Sequence, residues 1–408
     1  MQMRAIIRPG TARGTVAAPP SKSMAHRLLI GAALAEGKSV VRGVDPSEDI
    51  LATADCLTAL GASLSWEGSA VRVRGCDPRK AASAVLRCRE SGSTLRFMIP
   101  LCLLSGSAMR LEGSETLLSR PLSVYEELCR EQGLSLRREN GGLLAEGRLS
   151  PGEYAVPGGI SSQFITGLLF ALPLLSGDSR IRLIPPVESR SYLSLTLQAL
   201  HDAGISIRWE DEYTLSVPGN AAYRPQDTEV EGDYSNAAFF EALNCAGGNV
   251  TVTGLRTDSL QGDRVYRDFF PRLAAGPAEP DLSDCPDLAP VLFAAAALCH
   301  GAAFTGTRRL RFKESDRGAA MAQEMAKFGV NLILEENRIT VPAAPLRAPS
   351  EPLDSHNDHR IAMALSLLCT RTGGEIRGAE AVRKSFPDYW DRLCSLGISV
   401  TLSSESDE

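Results

Sequence analysis

The most chemically loaded stretch of this 408-residue chain is PPSKSMAHR, where Lys22, Ser23 and Arg27 crowd the start of an apolar run, LLIGAALAEG. Ser23 and Arg27 are four residues apart and share one helical face, with Lys22 beside them at the entrance. A second stretch, KESDR, places Lys313, Glu314 and Arg317 within one turn. Two cations around a carboxylate suit a site that binds anions and also moves a proton; taken alone, the same residues read equally well as an exposed ion-pair cluster. Further cations, Arg96, Arg120, Arg360 and Lys384, stand in RESGSTLRF, LSRPLSVYEEL, SHNDHRIAM and RKSFPDYW, each beside Ser, Asp or Pro. Those companions are ordinary helix-start residues. The repeated cations are not, and an amino-terminal helix end with a cation beside it attracts phosphate and carboxylate.

The elements that position these residues follow from a repeat. One kind of segment is an apolar helical run, a glycine and a short strand: LLIGAALAEGKSVVRG, FMIPLCLLSGSAMRLEG, LLFALPLLSGDSRIRL, AFFEALNCAGGNVTVTG, VLFAAAALCHGAAFTG and AMALSLLCTRTGGEIRG. A second kind, interleaved with the first, is a helix closed by a glycine stop and followed by alternating strand text, as in CLTALGASLSWEGSAVRV and MAKFGVNLILEENRITV. Its fourth copy, FFPRLAAGPAEPDLS, is degenerate, and its sixth, LCSLGISVTL, is cut short. The unit is strand, helix, strand, helix, strand, strand, used six times. Two similar α/β domains of three units each are expected, because helices under strands bury a shared apolar interior; the closing strands argue against a helical solenoid.

Composition excludes several function classes. With 44% apolar and 23% charged residues the chain is globular, and a net charge of −6 with no long basic block argues against a nucleic-acid or membrane-surface binder. MQMRAIIRPG lacks a signal-peptide core, and no uninterrupted apolar run reaches ~18 residues, so a cytoplasmic protein is expected. The ten cysteines are scattered without a CxxC pair and read as reduced, buried thiols. There is no GxxxxGK[ST], no GxGxxG after a strand and no GxSxG. The HxxH spacing in HNDH has no matching Cys/His cluster, so neither metal nor cofactor is expected. Acid and base catalysis of a transfer between anionic ligands fits what is left.

In order along the chain, PPSKSMAHR, ESGSTLRF, SRPLSVYEEL, SSQFITGLL, SRSYLSLT, EGDYSNAAFF, PDLAP, KESDR, NDHRIAMA and KSFPDYW resemble the 5-enolpyruvylshikimate-3-phosphate synthase family nearly end to end. The resemblance implies an inside-out α/β barrel of the enolpyruvyl transferase type: two domains of three βαβαββ units, with the active site in the cleft between them. Residues 1–18 plus 231–408 would form one domain and 19–230 the other. The implied reaction transfers the enolpyruvyl group of phosphoenolpyruvate to the 5-hydroxyl of shikimate 3-phosphate and releases phosphate, in the shikimate pathway. Carried over motif by motif, Lys22, Ser23, Arg27, Ser161, Ser162, Gln163, Ser189, Asp287 and Lys313 would hold shikimate 3-phosphate. Lys22, Gly92, Arg120, Gln163, Arg317, Arg360 and Lys384 would hold phosphoenolpyruvate. Asp287 would be the base at the 5-hydroxyl and Glu314 the proton-transfer partner of the methylene carbon, with Lys22 a second candidate for that role. His359 is either a further candidate or an orienting group.

Two departures stand out. Glu90-Ser91-Gly92-Ser93 replaces the Asn-Ala-Gly-Thr of many relatives, so the resemblance leaves sensitivity to glyphosate open, and Arg309 stands where some relatives have asparagine. The sister transferase acting on UDP-N-acetylglucosamine shares the repeat architecture but carries a reactive cysteine in a mobile loop, and this chain has no such motif. A non-catalytic anion-binding protein of the same fold would not need Asp287 and Glu314. The resulting expectation is a cytoplasmic monomer whose partners are two small-molecule substrates.

Overall fold

The computed structural model describes residues 2–404. The chain divides into two compact units, Pro20–Glu231 and the paired segments Met1–Pro19 and Gly232–Glu408, each enclosing its own apolar core.

Pro20–Glu231 carries three four-stranded sheets of one design. In the second, Val85–Arg87 runs parallel to Met109–Glu112, which pairs antiparallel with Gly142–Glu146, and Ser135–Glu139 closes the hairpin on the outside. The hairpin turns at Asn140 and Gly141, both at positive φ, as a two-residue connection between twisted strands requires. Glu153–Pro157, Ser179–Ile184, Thr214–Val217 and Arg208–Trp209 repeat the order. In the first sheet the leading strand is Asp227–Glu229, from the far end of the unit, laid parallel to Lys38–Arg42. Ser179–Ile184 alternates strictly between buried and exposed residues, so each sheet turns one face to the core.

The second unit varies the pattern. Leu353–Asp354, Gly374–Arg377, Met3–Ile7 and Val400–Ser404 form one sheet, in which the first strand of the chain takes the place of the hairpin strand that the sixth copy lacks. The degenerate fourth copy forms no hairpin: after the helix Tyr266–Ala275, only the bridges Ala278–Ala302 and Asp281–Thr305 remain, alongside the three-stranded sheet of the fifth copy. Arg13–Ala17 and Asn249–Thr253 make a two-stranded parallel pair.

Six helices open the repeats: α1 Lys22–Leu34, α2 Gly92–Cys102, α3 Ser162–Ala171, α4 Tyr234–Glu241, α5 Ala289–Leu298 and α6 His359–Thr372. They are apolar on nearly every side and correspondingly buried; α5 is buried from Ala289 to Ala297. Five are capped as their sequences suggest. Ser21 accepts from the Met24 amide, Ser91 from Thr94, Ser161 from Gln163, Asp233 from Asn236 and Asp358 from Arg360, each cap contributing about 1 kcal/mol. The polar text at these starts is therefore capping in part, while the cations are left for other work.

Close packing of α2 on α3 fixes the geometry of one cluster of those cations. Pro100, inside α2, has no N–H to give the carbonyl of Arg96 one turn earlier. The buried Tyr125 hydroxyl lies 2.8 Å from that carbonyl and 2.9 Å from the Phe164 carbonyl of α3. Gly167 makes room for this, since a Cβ there would lie 2.4 Å from the Tyr125 oxygen.

Candidate active site

The first cluster lies in Pro20–Glu231. Lys22 begins α1 and donates to Asp49 Oδ2 at 2.7 Å, from the first turn of the helix Glu48–Ala59. Arg27, one turn further along α1, is buried, with Nε on Thr196 Oγ1 at 2.9 Å and its two terminal nitrogens on the carbonyls of Ser23 and Tyr192 at 2.5 and 3.1 Å. All three partners are neutral, and burial pulls the Arg27 pKa down to about 10. Arg96 donates to Gln163 Oε1 at 2.6 Å, and the Gln163 amide donates to Ser93 Oγ at 2.9 Å, linking α2 to the start of α3. The Arg120 guanidinium lies against Gly92, where a Cβ would stand 2.8 Å from its Nη1, and its buried Nε has no hydrogen-bond partner among the described residues. Ser161 and Ser162 sit at the start of α3. Ser189 begins the helix Arg190–Asp202 at a φ of 57°, a conformation that a serine adopts only under constraint.

A buried chain of neutral groups runs beneath this cluster. His26 Nδ1 meets Thr53 Oγ1 at 2.8 Å, Thr53 meets Thr94 Oγ1 at 2.7 Å, and Thr94 donates to Ser91 Oγ at 2.8 Å. Burial, then the charges of Lys22 and Arg27, hold His26 well below the usual imidazole range, so it is neutral.

The second cluster lies in the other unit and centres on Asp287, in the turn Pro286–Leu288 that leads into α5. Its Oδ1 accepts from Arg317 Nη1 at 2.7 Å and lies 3.1 Å from Lys313 Nζ; its Oδ2 accepts from Arg360 Nη2 at 3.3 Å. Burial alone would raise the carboxyl pKa, but Lys313, Arg360 and Arg317 together hold Asp287 well below the ordinary carboxylate range. Arg317, with none of its surface exposed, also gives Nε to Asp358 Oδ2 at 2.8 Å and Nη2 to Glu314 Oε2 at 2.7 Å and Asp358 Oδ1 at 3.4 Å. Burial works against its charge, yet Asp358, Glu314 and Asp287 raise its pKa well above the usual value. Burial lowers the pKa of Lys313 despite Asp287 beside it. Asp263 is buried nearby; burial and then the negative charge of Asp287 push it up to about 7, against the opposing pull of Arg360.

The residues singled out in the sequence thus gather into these two clusters, with some corrections. Arg120 sits at the carboxyl end of the short helix Glu115–Ser119, Lys313 just after the turn Arg308–Phe312, and Lys384 at the end of the turn Ala379–Lys384. Each of the three thus ends one short helical turn, whose negative end favours a cation, and also precedes the next helix, Ser123–Glu131, Arg317–Lys327 and Tyr389–Ser395 respectively. Lys384 Nζ donates to the Asn357 carbonyl at 2.6 Å, Arg309 to the Ser283 carbonyl at 2.6 Å, and His359 Nδ1 lies 3.8 Å from Asp358 Oδ1. Sequence reasoning missed Asp49, Thr196, Asp358 and Asp263. Asp49 and Asp358 read as ordinary acidic helix starts, and Thr196 carries no local signal, because its role is set by a guanidinium 169 positions away. Among the described residues no group of three or more His, Cys, Asp or Glu is placed to hold a metal ion, and no helix is long and apolar enough to cross a membrane.

Comparison with known proteins converges on one group. The family model described as EPSP synthase (3-phosphoshikimate 1-carboxyvinyltransferase) matches residues 7–393. The 3-phosphoshikimate 1-carboxyvinyltransferase of Clostridium beijerinckii is 38% identical, over 96% of this chain and 97% of that protein. That of Clostridium kluyveri is also 38% identical, over 97% of both. The solved structure of EPSP synthase from Acinetobacter baumannii superposes with a TM-score of 0.77 at 22% identity, covering 99% of this chain and 100% of that one, which establishes the likeness of fold.

Proposed function

The chain belongs to the EPSP synthase family, and from that premise we propose that it transfers the enolpyruvyl group of phosphoenolpyruvate to the 5-hydroxyl of shikimate 3-phosphate. The 5-hydroxyl oxygen bonds to the enol carbon as the methylene carbon gains a proton. The tetrahedral adduct then loses a methyl proton and inorganic phosphate, leaving the enolpyruvyl ether. Arg27, Ser23, Ser161, Ser162, Gln163 and Ser189 hold shikimate 3-phosphate together with Lys313, while Arg120, Gly92, Gln163, Arg360 and Lys384 hold phosphoenolpyruvate. Lys22 contacts both.

The observation that carries the reading is the environment of Asp287. A carboxylate ringed by Lys313, Arg317 and Arg360 is kept ionised, the state in which it can take the hydroxyl proton and hand it on. Arg317 has four of its five N–H groups committed to carboxylates, so it offers a phosphoenolpyruvate carboxylate one remaining Nη1 hydrogen and acts chiefly as the counter-charge of this cluster. Glu314, tied to Arg317 at 2.7 Å, and Lys22, tied to Asp49, are the groups carried over for exchange of the methylene proton, with His359 a further candidate. A protein of this kind needs no metal or cofactor for the reaction, and the cytoplasm is the compartment that fits it.

A phosphate-release assay tests the reading. Release is expected with phosphoenolpyruvate plus shikimate 3-phosphate, and not when UDP-N-acetylglucosamine replaces the shikimate ester. Release only with the UDP-sugar, or with neither acceptor, would overturn it.

A further inference from the structure

The loop Ser355-His356-Asn357 carries the chain from the strand Leu353–Asp354 into α6, and so places Asp358, the partner of Arg317, and Arg360, the partner of Asp287. It also presents the Asn357 carbonyl to Lys384. Its backbone is unusual: His356 and Asn357 lie consecutively at φ values of 50° and 52°. Two left-handed residues in a row are strained without glycine, so something must hold them.

The holder is the helix Arg317–Lys327. Arg317 at its start grips Asp358. Seven residues on, two turns along and on the same face, Glu324 grips the other end of the loop. Glu324 is fully buried; its Oε1 lies 3.1 Å from His356 Nε2, and its Oε2 accepts from the Asp354 amide and from Lys327 Nζ, both at 2.9 Å. Asp354 Oδ1 in turn accepts from the His356 amide at 2.6 Å. Building on the reading above, we propose that Glu324 and His356 are positioning residues that clamp this loop, setting Arg360 and Lys384 for the anionic substrate they bind.

The clamp is strongest when His356 is protonated. The hydrogen bond to Glu324, with Asp354 adding to it, raises the His356 pKa above its ordinary value against burial and the charge of Lys327. The Glu324 pKa is raised by burial, but His356, Lys327 and the Asp354 amide bring it below the usual range. The groups around the pair are therefore Asp354, Lys327 and, 3.9 Å from Lys327, Glu351. A histidine whose pKa is raised on folding contributes its stabilisation fully below about pH 6.5 and loses it as pH rises through the folded value. The clamp therefore loosens on the alkaline side.

Glu324→Gln and His356→Asn test it; the first keeps shape without charge, and the second keeps tolerance of the left-handed backbone without reach. The expected result is a rise of about tenfold in KM for phosphoenolpyruvate, the scale of a lost charge-assisted hydrogen bond. The value of kcat and KM for shikimate 3-phosphate should stay within about twofold, and the alkaline rise of wild-type KM should be absent from both variants. Unchanged KM and pH profile, or equal losses in all parameters, would overturn the proposal. Proton NMR titration of the His356 ring adds an arm that needs no turnover. Its pKa should fall in Glu324→Gln, and an unmoved titration would refute the clamp even if the transferase assignment stood. A wild type without transferase activity but with the shifted ring would fail that assignment alone.

Discussion

The Lys22 and Asp287 clusters are both rich in cations, but they neutralise them differently. Arg27 is buried among a threonine hydroxyl and two carbonyls, and burial pulls its pKa down to about 10. Arg317 is buried among three carboxylates, which raise its pKa against burial. A guanidinium with neutral partners keeps most of its field for an incoming anion; one with three counter-ions spends its field inside the protein. The difference matches the tasks proposed for them: the Lys22 cluster would receive phosphate, and the Asp287 cluster would keep a base ionised and in place.

Paired substitutions put the largest strain on that comparison. Arg317→Met strands the buried Asp358 and removes one cation each from the part-buried Asp287 and Glu314, and should destabilise the fold by about 3–5 kcal/mol, the usual scale for breaking a buried ion pair from one side. Arg27→Met leaves only neutral acceptors unsatisfied and should cost about 1–3 kcal/mol. Urea unfolding checks both, and equal losses would erase the distinction. Asp287→Ala should lower kcat by at least about 10²-fold, the contribution of a general base, while isothermal titration shows shikimate 3-phosphate still bound. Turnover within a few-fold of wild type would remove Asp287 from its role.

Much of this was legible in the order of residues, and the exceptions share a cause. The starts of α1, α2, α3 and α6 are marked by Ser21, Ser91, Ser161 and Asp358 followed by apolar text, because capping is a local interaction. The strand Met3–Ile7 carries no sign that it completes a sheet with residues 374–377 and 400–404. Its partners are remote, and strand pairing leaves no local trace. KESDR announced a charged turn, yet the partners that give Arg317 its character, Asp287 and Asp358, are 30 and 41 positions away. Arg120, Lys313 and Lys384 were read as flanking helix starts; each also ends a short helical turn before that start, which the side-chain pattern does not reveal. His356 read as half of an HxxH spacing and proved to be an ion-pair partner of Glu324.

Three cations, Lys313, Arg317 and Arg360, keep Asp287 ionised. Carbon-13 NMR titration of its carboxyl group tests this most directly. A carboxyl whose pKa is depressed on folding stabilises the protein above the unfolded value of about 3.9, and that contribution is lost as pH falls through the folded value. The resonance should therefore stay that of a carboxylate well below pH 3.9 in the ligand-free protein, and Lys313→Met should move the midpoint upward. A midpoint at or above about 3.9, unmoved by Lys313→Met, would contradict the account.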